Sequence, residues 1–202
     1  MKKSDFFTTA LCLSAVIPGL IFYRKLPENM PVHFDISNQP DNFVSKPFAL
    51  FGIPIILCIF QIICCYSALK SSEKKTTPET VNILSRFIIP VTAFIVEISI
   101  IMFSLDVYKN TGTVALCLIA VIFIIFGNYL PKCRRNSFFG IKLPSTLKSD
   151  RIWDKTHHLA GWIFIISGII LIPLSLNMMF IPAIIVVFLA VLIPSVYSYI
   201  IK

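Results

Sequence analysis

The sequence predicts an all-α fold, a polytopic integral membrane bundle of six transmembrane helices with both termini in the cytoplasm. Of the 202 residues, 56% are hydrophobic and 14% are charged, whereas soluble domains carry about 25% charged residues. The apolar residues form six long runs, at 6–23, 47–69, 87–105, 113–130, 159–176 and 178–201. Since about 20 helical residues cross the hydrocarbon core of a bilayer, each run is long enough to span it. This composition excludes an ordinary soluble enzyme.

The first run could be a signal peptide, and the last two runs could be one continuous helix. Lys2 and Lys3 precede the first run as they would in a signal peptide, but no small-residue cleavage site follows before Arg24, so we expect a retained first helix. The last two runs are nearly continuous over 43 residues, which is too long for one span. Interruptions at Pro173, Asn177 and Pro182 predict two helices joined by a tight turn.

The distribution of basic residues predicts the orientation in the membrane. With six spans, fourteen of the 18 Lys and Arg residues fall on one side and four on the other, and the positively charged side is cytoplasmic. The net charge of +8 is therefore mainly a topology signal, and direct nucleic-acid binding is not indicated because no readout platform accompanies the charges. The inner set is Lys2, Lys3, Lys70, Lys74, Lys75, Arg86, Lys132, Arg134, Arg135, Lys142, Lys148, Arg151, Lys155 and Lys202.

The outer loop, 24–46, is predicted to form a compact, rigid external cap. Its three prolines exclude a helix and favour extended backbone, and Asn38 tolerates the left-handed conformation of a turn. His33 could ligate a metal with Asp35 or Asp41, but a single histidine is more typical of a hydrogen-bonding loop residue. The prolines are Pro27, Pro31 and Pro40.

No cofactor, metal or enzymatic activity is predicted. Five of the six cysteines lie in the apolar runs, the exception being Cys133, and none forms a C-x-x-C pair. Motifs for nucleophilic, metal-dependent or paired-carboxylate catalysis are not found in the sequence.

The inner loop, 131–158, has a net charge of +5 and is predicted to face anionic lipid headgroups. Ser149 is a candidate N-cap for a helix that continues into the fifth span, with Trp153 and His157 on one face of it. Two interpretations stay open: an interfacial aromatic anchor with a polar neighbour, or two members of a specifically folded or binding loop.

This loop resembles the signature of the SdpI family of bacterial membrane immunity proteins. The string N-S-F-F-G-I-K-L-P-S-T, followed by W-D-K-T-H-H-L-A-G, matches the family pattern at Asn136, Gly140, Ile141, Pro144, Thr146, Leu147, Trp153, Thr156, His157, Ala160 and Gly161. The chain departs from it where the family usually has Arg, Thr, an aromatic residue and Arg, namely at Lys142, Leu143, Ser145 and His158. The change at Lys142 keeps the charge but loses the bidentate fork.

The outer loop resembles the short domain that often precedes the SdpI region. Matching positions are Leu26, Pro27, Pro31, His33, Phe34, Pro40, Asp41, Ser45 and Lys46, with Asn38 in place of a glycine. Together the two resemblances divide the chain into an N-terminal region, 1–70, and an SdpI-like region, 71–202.

The resemblance implies a protein that confers immunity to a secreted peptide toxin. For some relatives it also implies a role in holding a cytoplasmic ArsR-type repressor at the membrane. The implied toxin-facing residues are Pro27, Pro31, His33, Phe34, Pro40 and Asp41. The implied cytoplasmic motif is Asn136, Gly140, Lys142, Pro144, Thr146, Trp153, Thr156 and His157.

A small proton-coupled transporter or channel is the alternative function. Glu97 is the only ionisable residue within the six apolar runs, and six prolines in the runs could open a substrate path. We expect Glu97 to be neutral and hydrogen-bonded either to Gln61, which lies at a similar depth in the neighbouring run, or to nearby hydroxyl groups. The prolines are Pro18, Pro54, Pro90, Pro173, Pro182 and Pro194.

Overall fold

The computed structural model describes residues 3–73, 77–136 and 138–201. Within these ranges, six helical segments are long and apolar enough to cross a membrane: Lys3–Lys25, Phe48–Lys70, Glu79–Ser104, Thr111–Lys132, Asp150–Leu176 and Phe180–Ile200. The predicted all-α polytopic bundle is confirmed. Four lysines of the charge count, Lys2, Lys74, Lys75 and Lys202, lie outside the described residues, and the orientation stays a prediction.

The helices extend beyond the apolar runs because a helix continues through the charged residues that end a run. The first span is α1 (Lys3–Leu13) and α2 (Val16–Phe22), and the second is a π-helical turn (Phe48–Gly52) that leads into α3 (Ile53–Glu73). The remaining helices are α4 (Glu79–Ser104), α5 (Thr111–Tyr129), α6 (Pro144–Lys148), α7 (Asp150–Leu176) and α8 (Phe180–Ile200), and the strands are β1 (Asn29–Phe34) and β2 (Pro40–Ser45).

The last two runs form two helices, as predicted. α7 ends at Leu176 and α8 begins at Phe180, and Met178 between them has a φ of 55°. Pro173 lies inside α7, and its carbonyl accepts both the backbone and the side-chain N–H of Asn177, which caps the end of the helix. The helix ends three residues after the proline, at Leu176.

The chain forms two compact units, one from the described parts of 1–69 and 83–114, the other from those of 70–82 and 115–202. In the first unit an apolar cluster joins the hairpin to the spans, and a second cluster packs α1 against α4. The division at residue 70 made from the two motifs is a separate statement about sequence regions and stays a prediction.

The second unit contains a close approach of two helices. A Cβ built on Gly127 of α5 would lie 2.7 Å from the carbonyl oxygen of Gly161 in α7, and one built on Gly161 would lie 2.9 Å from the carbonyl oxygen of Gly127. Small residues at such positions let membrane helices pack backbone against backbone. The stacked rings of Phe123 and Phe164, 4.6 Å apart, continue this contact.

Two charged residues outside the apolar runs are buried in helices of the first unit. Asp5 of α1 is 0% exposed and Arg86 of α4 is 4% exposed, and Nε of Arg86 lies 2.7 Å from Oδ1 of Asp5. Glu97 is therefore not the only ionisable residue in the spans. The prediction was wrong because the runs were ended at charged residues, whereas an ion pair allows both charges to enter the packed region.

Candidate functional site

The outer loop forms an antiparallel β-hairpin rather than an irregular cap. β1 and β2 pair with Asn29 opposite Ser45 and Phe34 opposite Pro40, and irregularities flank His33. The turn between the strands is closed by the carboxylate of Asp35, which accepts hydrogen bonds from the backbone N–H groups of Ser37 and Gln39, each at 2.8 Å. The rigidity expected from the prolines thus comes with a defined pairing register.

Asn38 fixes the tip of the hairpin. Its φ of 60° confirms the predicted left-handed conformation. Its side chain donates from Nδ2 to the carbonyl of Lys109 at 2.7 Å, and Oδ1 accepts from the backbone N–H of Gly112 at 2.8 Å and from Oγ1 of Thr111 at 3.0 Å. One side chain therefore joins the hairpin to the connection between α4 and α5.

The inner face of the hairpin is anchored in the first unit. Met30 is 0% exposed and belongs to one apolar cluster with Leu50 and Ile100. Phe34 meets Phe103 of α4 edge to face, with ring centroids 4.8 Å apart. This burial leaves the opposite face of the hairpin as the surface available to a partner.

Lys46, at the end of the hairpin, is a buried cation. It is 5% exposed, donates from Nζ to the carbonyl of Leu26 at 2.9 Å, and forms an ion pair of 2.9 Å with Glu28. Its Nζ also lies 4.8 Å from the ring centroid of Tyr23. The lysine matched in the outer-loop pattern thus closes the base of the hairpin.

The predicted toxin-facing residues divide between the two faces. His33 and Asp41 are exposed and paired, with Nδ1 of His33 2.5 Å from Oδ1 of Asp41. Pro27 is also exposed, whereas Phe34 and Pro40 are half-buried and Pro31 is buried. Pro31 therefore supports the hairpin from inside and is not available as a contact residue.

Sequence reasoning missed two apolar side chains on the exposed surface. Ile36 is 54% exposed at the hairpin turn and Phe43 is 51% exposed on β2. The alternation of a strand would have placed Phe43 on the face opposite Val44, but the loop was not predicted as strand. In the part of the chain that the structure describes, no group of three or more His, Cys, Asp or Glu side chains is arranged to hold a metal ion.

The inner loop is folded by side chains of the signature. Asn136 accepts hydrogen bonds at Oδ1 from the backbone N–H groups of Phe138, at 2.7 Å, and Phe139, at 2.8 Å, and donates from Nδ2 to the carbonyl of Arg134 at 2.7 Å. Thr146 donates to the carbonyl of Ile141 at 2.7 Å. Each of these two residues satisfies backbone groups that no regular element pairs.

Trp153 and His157 attach this loop to α7. Their rings stack with centroids 4.0 Å apart, and Nε1 of Trp153 donates to the carbonyl of Cys133 at 2.8 Å. Nε2 of His157 accepts from the backbone N–H of Ile141 at 2.9 Å, while Nδ1 donates to the carbonyl of Trp153 at 2.7 Å. Together these bonds fix the tautomer of the imidazole.

Gly140 is required beside this pair. Its φ is 125°, and a Cβ built on it would clash with Nε2 of His157 and lie 2.9 Å from the Trp153 ring. The glycine thus lets the backbone pass directly over the two rings.

Burial decides between the two interpretations left open for the loop. Trp153 and Thr156 are 0% exposed and His157 is 1% exposed, so Trp153 is not an interfacial anchor and belongs to a specifically folded loop. Lys142 and Pro144 are exposed. Ser149 precedes the first residue of α7, as predicted, but its side chain makes no capping hydrogen bond.

Cys133, the cysteine outside the apolar runs, is an interior residue of the same loop. It is 3% exposed, its Sγ donates to the carbonyl of Tyr129 at 3.4 Å, and burial raises the pKa of the thiol to about 12. The thiol is therefore neutral and unreactive at physiological pH.

The predicted hydrogen bond between Glu97 and Gln61 is wrong. Nε2 of Gln61 donates to the carbonyl of Arg86 at 2.8 Å and to Oγ1 of Thr8 at 3.0 Å. Both carboxyl oxygens of Glu97, which is 1% exposed, have no hydrogen-bond partner among the described residues. A Cβ built on Gly19 would lie 2.7 Å from Oε1 of Glu97, so the carboxyl occupies the space that a glycine leaves on α2.

The error came from the helix bounds. α3 continues to Glu73 and α4 begins at Glu79, so Gln61 lies about 18 Å, and Glu97 about 27 Å, from the ends that their connection joins, at ~1.5 Å per residue. The two side chains were placed level because both helices were ended at their apolar runs.

Six spans, an outer hairpin and a signature-folded inner loop define a multi-pass membrane protein. A family model described as the SdpI/YfhL protein family matches residues 132–198, and one described as a domain of unknown function, DUF1648, matches residues 10–58. The two models match the regions that contain the inner loop and the outer loop, so both resemblances found in the sequence are confirmed.

Two proteins of Bacillus subtilis (strain 168) are similar to this chain. The immunity protein SdpI is 27% identical over 202 residues, which cover 98% of this chain and 95% of that protein. The uncharacterized membrane protein YbgB is 35% identical over 48 residues, or 24% of this chain and 53% of that protein. No solved structure matches the chain.

Proposed function

We propose that this protein is a membrane immunity protein that protects its producer from a secreted peptide toxin. The observation that carries the proposal is similarity to the immunity protein SdpI over 98% of the chain. The paired motifs add support, since the hairpin and the inner loop hold the matched residues in defined hydrogen bonds rather than in unstructured loops.

The exposed face of the hairpin is the proposed toxin-binding surface. Under the predicted orientation it lies outside the cell, and it combines two exposed apolar side chains, Ile36 and Phe43, with the polar pair of His33 and Asp41. Apolar anchors rimmed by polar groups are typical of peptide-binding surfaces. Since the hairpin is tied down at both ends, toxin would meet a preorganised surface, which lowers the entropic cost of binding.

Survival of a toxin-sensitive bacterium tests the immunity function. We expect expression of the chain to raise the concentration of a family-type peptide toxin that the cells tolerate. Phe43→Ala and Ile36→Ala should each weaken toxin binding by roughly tenfold, as truncation of an apolar anchor does. Phe188→Ala is the matched control because Phe188 is also strongly exposed, at 62%, but lies on α8.

Two results would contradict this proposal. Equal losses in the Phe43→Ala and Phe188→Ala variants would remove the hairpin as the binding surface. Unchanged survival across a panel of toxins, together with a new solute flux, would favour the proton-coupled transporter.

We also propose that the inner loop contacts a cytoplasmic repressor of the ArsR type. The buried signature residues can act on such a partner only through the shape of the loop, so the contacts fall to exposed basic residues, of which Arg134 and Lys148 are examples. Arg134→Ala and Lys148→Ala should reduce retention of the repressor at the membrane while toxin protection is unchanged. Retention of the repressor by these variants at the level of the unmodified protein would exclude this surface.

A further inference from the structure

A groove runs along the surface of the second unit between α7 and α8. Its volume is about 390 Å³, and it is lined by Asp154, Lys155, His158, Leu159, Trp162 and Tyr197. The one side-chain hydrogen bond found for these residues in the described part of the chain, from His158 to the carbonyl of Asp154, stays within α7. The proposed function therefore assigns no role to the groove.

The side chains change from charged to aromatic along one face of α7. Arg151, Lys155, His158 and Trp162 follow one another at spacings of four, three and four residues, which places them on one side of the helix. All four are exposed, Trp162 by 69%. Tyr197, three residues before the end of α8, lines the groove from the other helix. Tryptophan and tyrosine concentrate at the headgroup level of a bilayer.

The charges of this face match a singly negative headgroup. No hydrogen bond or ion pair of Arg151 or Lys155 is found within the described ranges, so both cations can receive a phosphate. Arg151 does not line the groove itself but lies one helical turn before Lys155 on the same face of α7. Together with Lys155 and the carboxylate of Asp154 it gives this face one positive charge, which one phosphodiester neutralises. A zwitterionic headgroup would leave that charge uncompensated.

Two acceptors stand beside these cations. Nδ1 of His158 donates to the carbonyl of Asp154 at 2.9 Å, so Nε2 is the ring nitrogen that is left to interact with a ligand in the groove. The carboxylate of Asp154 is a second acceptor in the same groove. Acceptors next to a phosphate site suit a headgroup that carries hydroxyl donors.

We propose that this groove binds one anionic phospholipid with a hydroxylated headgroup, of the phosphatidylglycerol class. Lys155 and Arg151 hold the phosphate, Asp154 and His158 accept from the glycerol hydroxyls, and Trp162 and Leu159 contact the first part of an acyl chain. Basic pockets between membrane helices on the cytoplasmic side bind headgroups in this way. The proposal is independent of the toxin-binding surface.

Tryptophan quenching by brominated lipids tests the site in the full-length protein. The chain has two tryptophans, and because Trp153 is 0% exposed whereas Trp162 is 69% exposed, lipid quenching reports on Trp162. A Trp162→Phe variant gives the background from Trp153. In vesicles of mixed composition we expect brominated phosphatidylglycerol to compete for the groove about fivefold better than brominated phosphatidylethanolamine, the effect of one near-surface charge.

Matched variants separate a site from general surface charge. Lys155→Ala should abolish most of the preference, whereas Lys148→Ala, which removes an exposed lysine of α6 outside the groove, should leave it intact. Excess glycerol 3-phosphate should not compete, because it has no acyl chain. Equal quenching by the two lipids, equal losses in the two lysine variants, or displacement by glycerol 3-phosphate would each overturn the proposal.

Discussion

The backbone N–H of Ile141 donates to Nε2 of His157 at 2.9 Å, across sixteen residues of sequence. Because Nδ1 of the same ring donates to the carbonyl of Trp153, both nitrogens of one neutral imidazole are committed to holding the inner loop against α7. The buried signature residues of this loop are therefore structural supports, and the contacts proposed with a partner fall to exposed residues.

Gly140→Ala should destabilise this loop strongly. A side chain at a positive φ costs more than about 1 kcal/mol, and the new Cβ would also contact His157. We expect the purified protein to have a lower melting temperature, which can be measured through the fluorescence emission of buried Trp153. In the His157→Ala background the same substitution should cost less, because one of the two contacts is gone; an identical cost in both backgrounds would mean that the imidazole contact contributes nothing.

The membrane orientation predicts opposite labelling of two exposed positions. Ser37→Cys at the hairpin turn should react with an impermeant maleimide in intact cells, and Lys148→Cys on α6 should react only after permeabilisation. Ser37 is a better probe position than Asn38, because the side chain of Asn38 is committed to three hydrogen bonds. Labelling of Ser37→Cys only in permeabilised cells would contradict the predicted orientation and place the hairpin in the cytoplasm. A tag at Lys202 should be cytoplasmic.

Asn38→Gly should loosen the hairpin while keeping its backbone conformation. Glycine adopts a φ of 60° without strain. The variant nevertheless loses the side-chain hydrogen bonds to the connection between α4 and α5, each of which contributes about 0.5–1.5 kcal/mol to stability. Hydrogen exchange of the amides in β1 and β2 should accelerate, and toxin protection should fall. Ser37→Ala, a neighbouring exposed position, is the control; equal exchange in the two variants would show that the Asn38 side chain is not the anchor.

Glu97→Gln should preserve expression, stability and toxin protection. The amide has nearly the volume of a neutral carboxyl and fills the same space beside Gly19. Glu97→Ala should instead lower the melting temperature, with a loss of about 1–3 kcal/mol for the buried methylenes and the cavity left behind. Loss of protection in Glu97→Gln with stability intact would assign a titrating role to Glu97 and favour the transporter interpretation.

Hydropathy and backbone chemistry predicted the parts of this fold that depend on single segments. The six spans follow from the length of the apolar runs, and the left-handed Asn38 follows from its place before a proline-containing turn. Matched motif positions predicted which loops are specifically folded. Each of these features depends on residues within one segment, which is the range over which a sequence pattern can be interpreted.

Features that depend on two distant segments were not predictable in the same way. The pairing of Asp5 with Arg86 requires both helices to continue past the ends of the apolar runs, and the partners of Gln61 follow from that shift. Burial of Trp153 was also open, because a tryptophan at a membrane boundary suits both an interfacial and a packed position. The missed exposure of Phe43 required knowledge that its segment is a strand.

The hydrogen bonds that anchor Asn38 can form only late in the synthesis of the chain. Its acceptor Oδ1 binds Thr111 and Gly112, which follow it by 73 and 74 residues. At about 5–20 residues per second of translation, roughly 4–15 s pass before these partners leave the ribosome. During that interval the nascent hairpin is held only by its own strands and by the spans already made, so the outer surface reaches its final form after the fourth span begins to emerge.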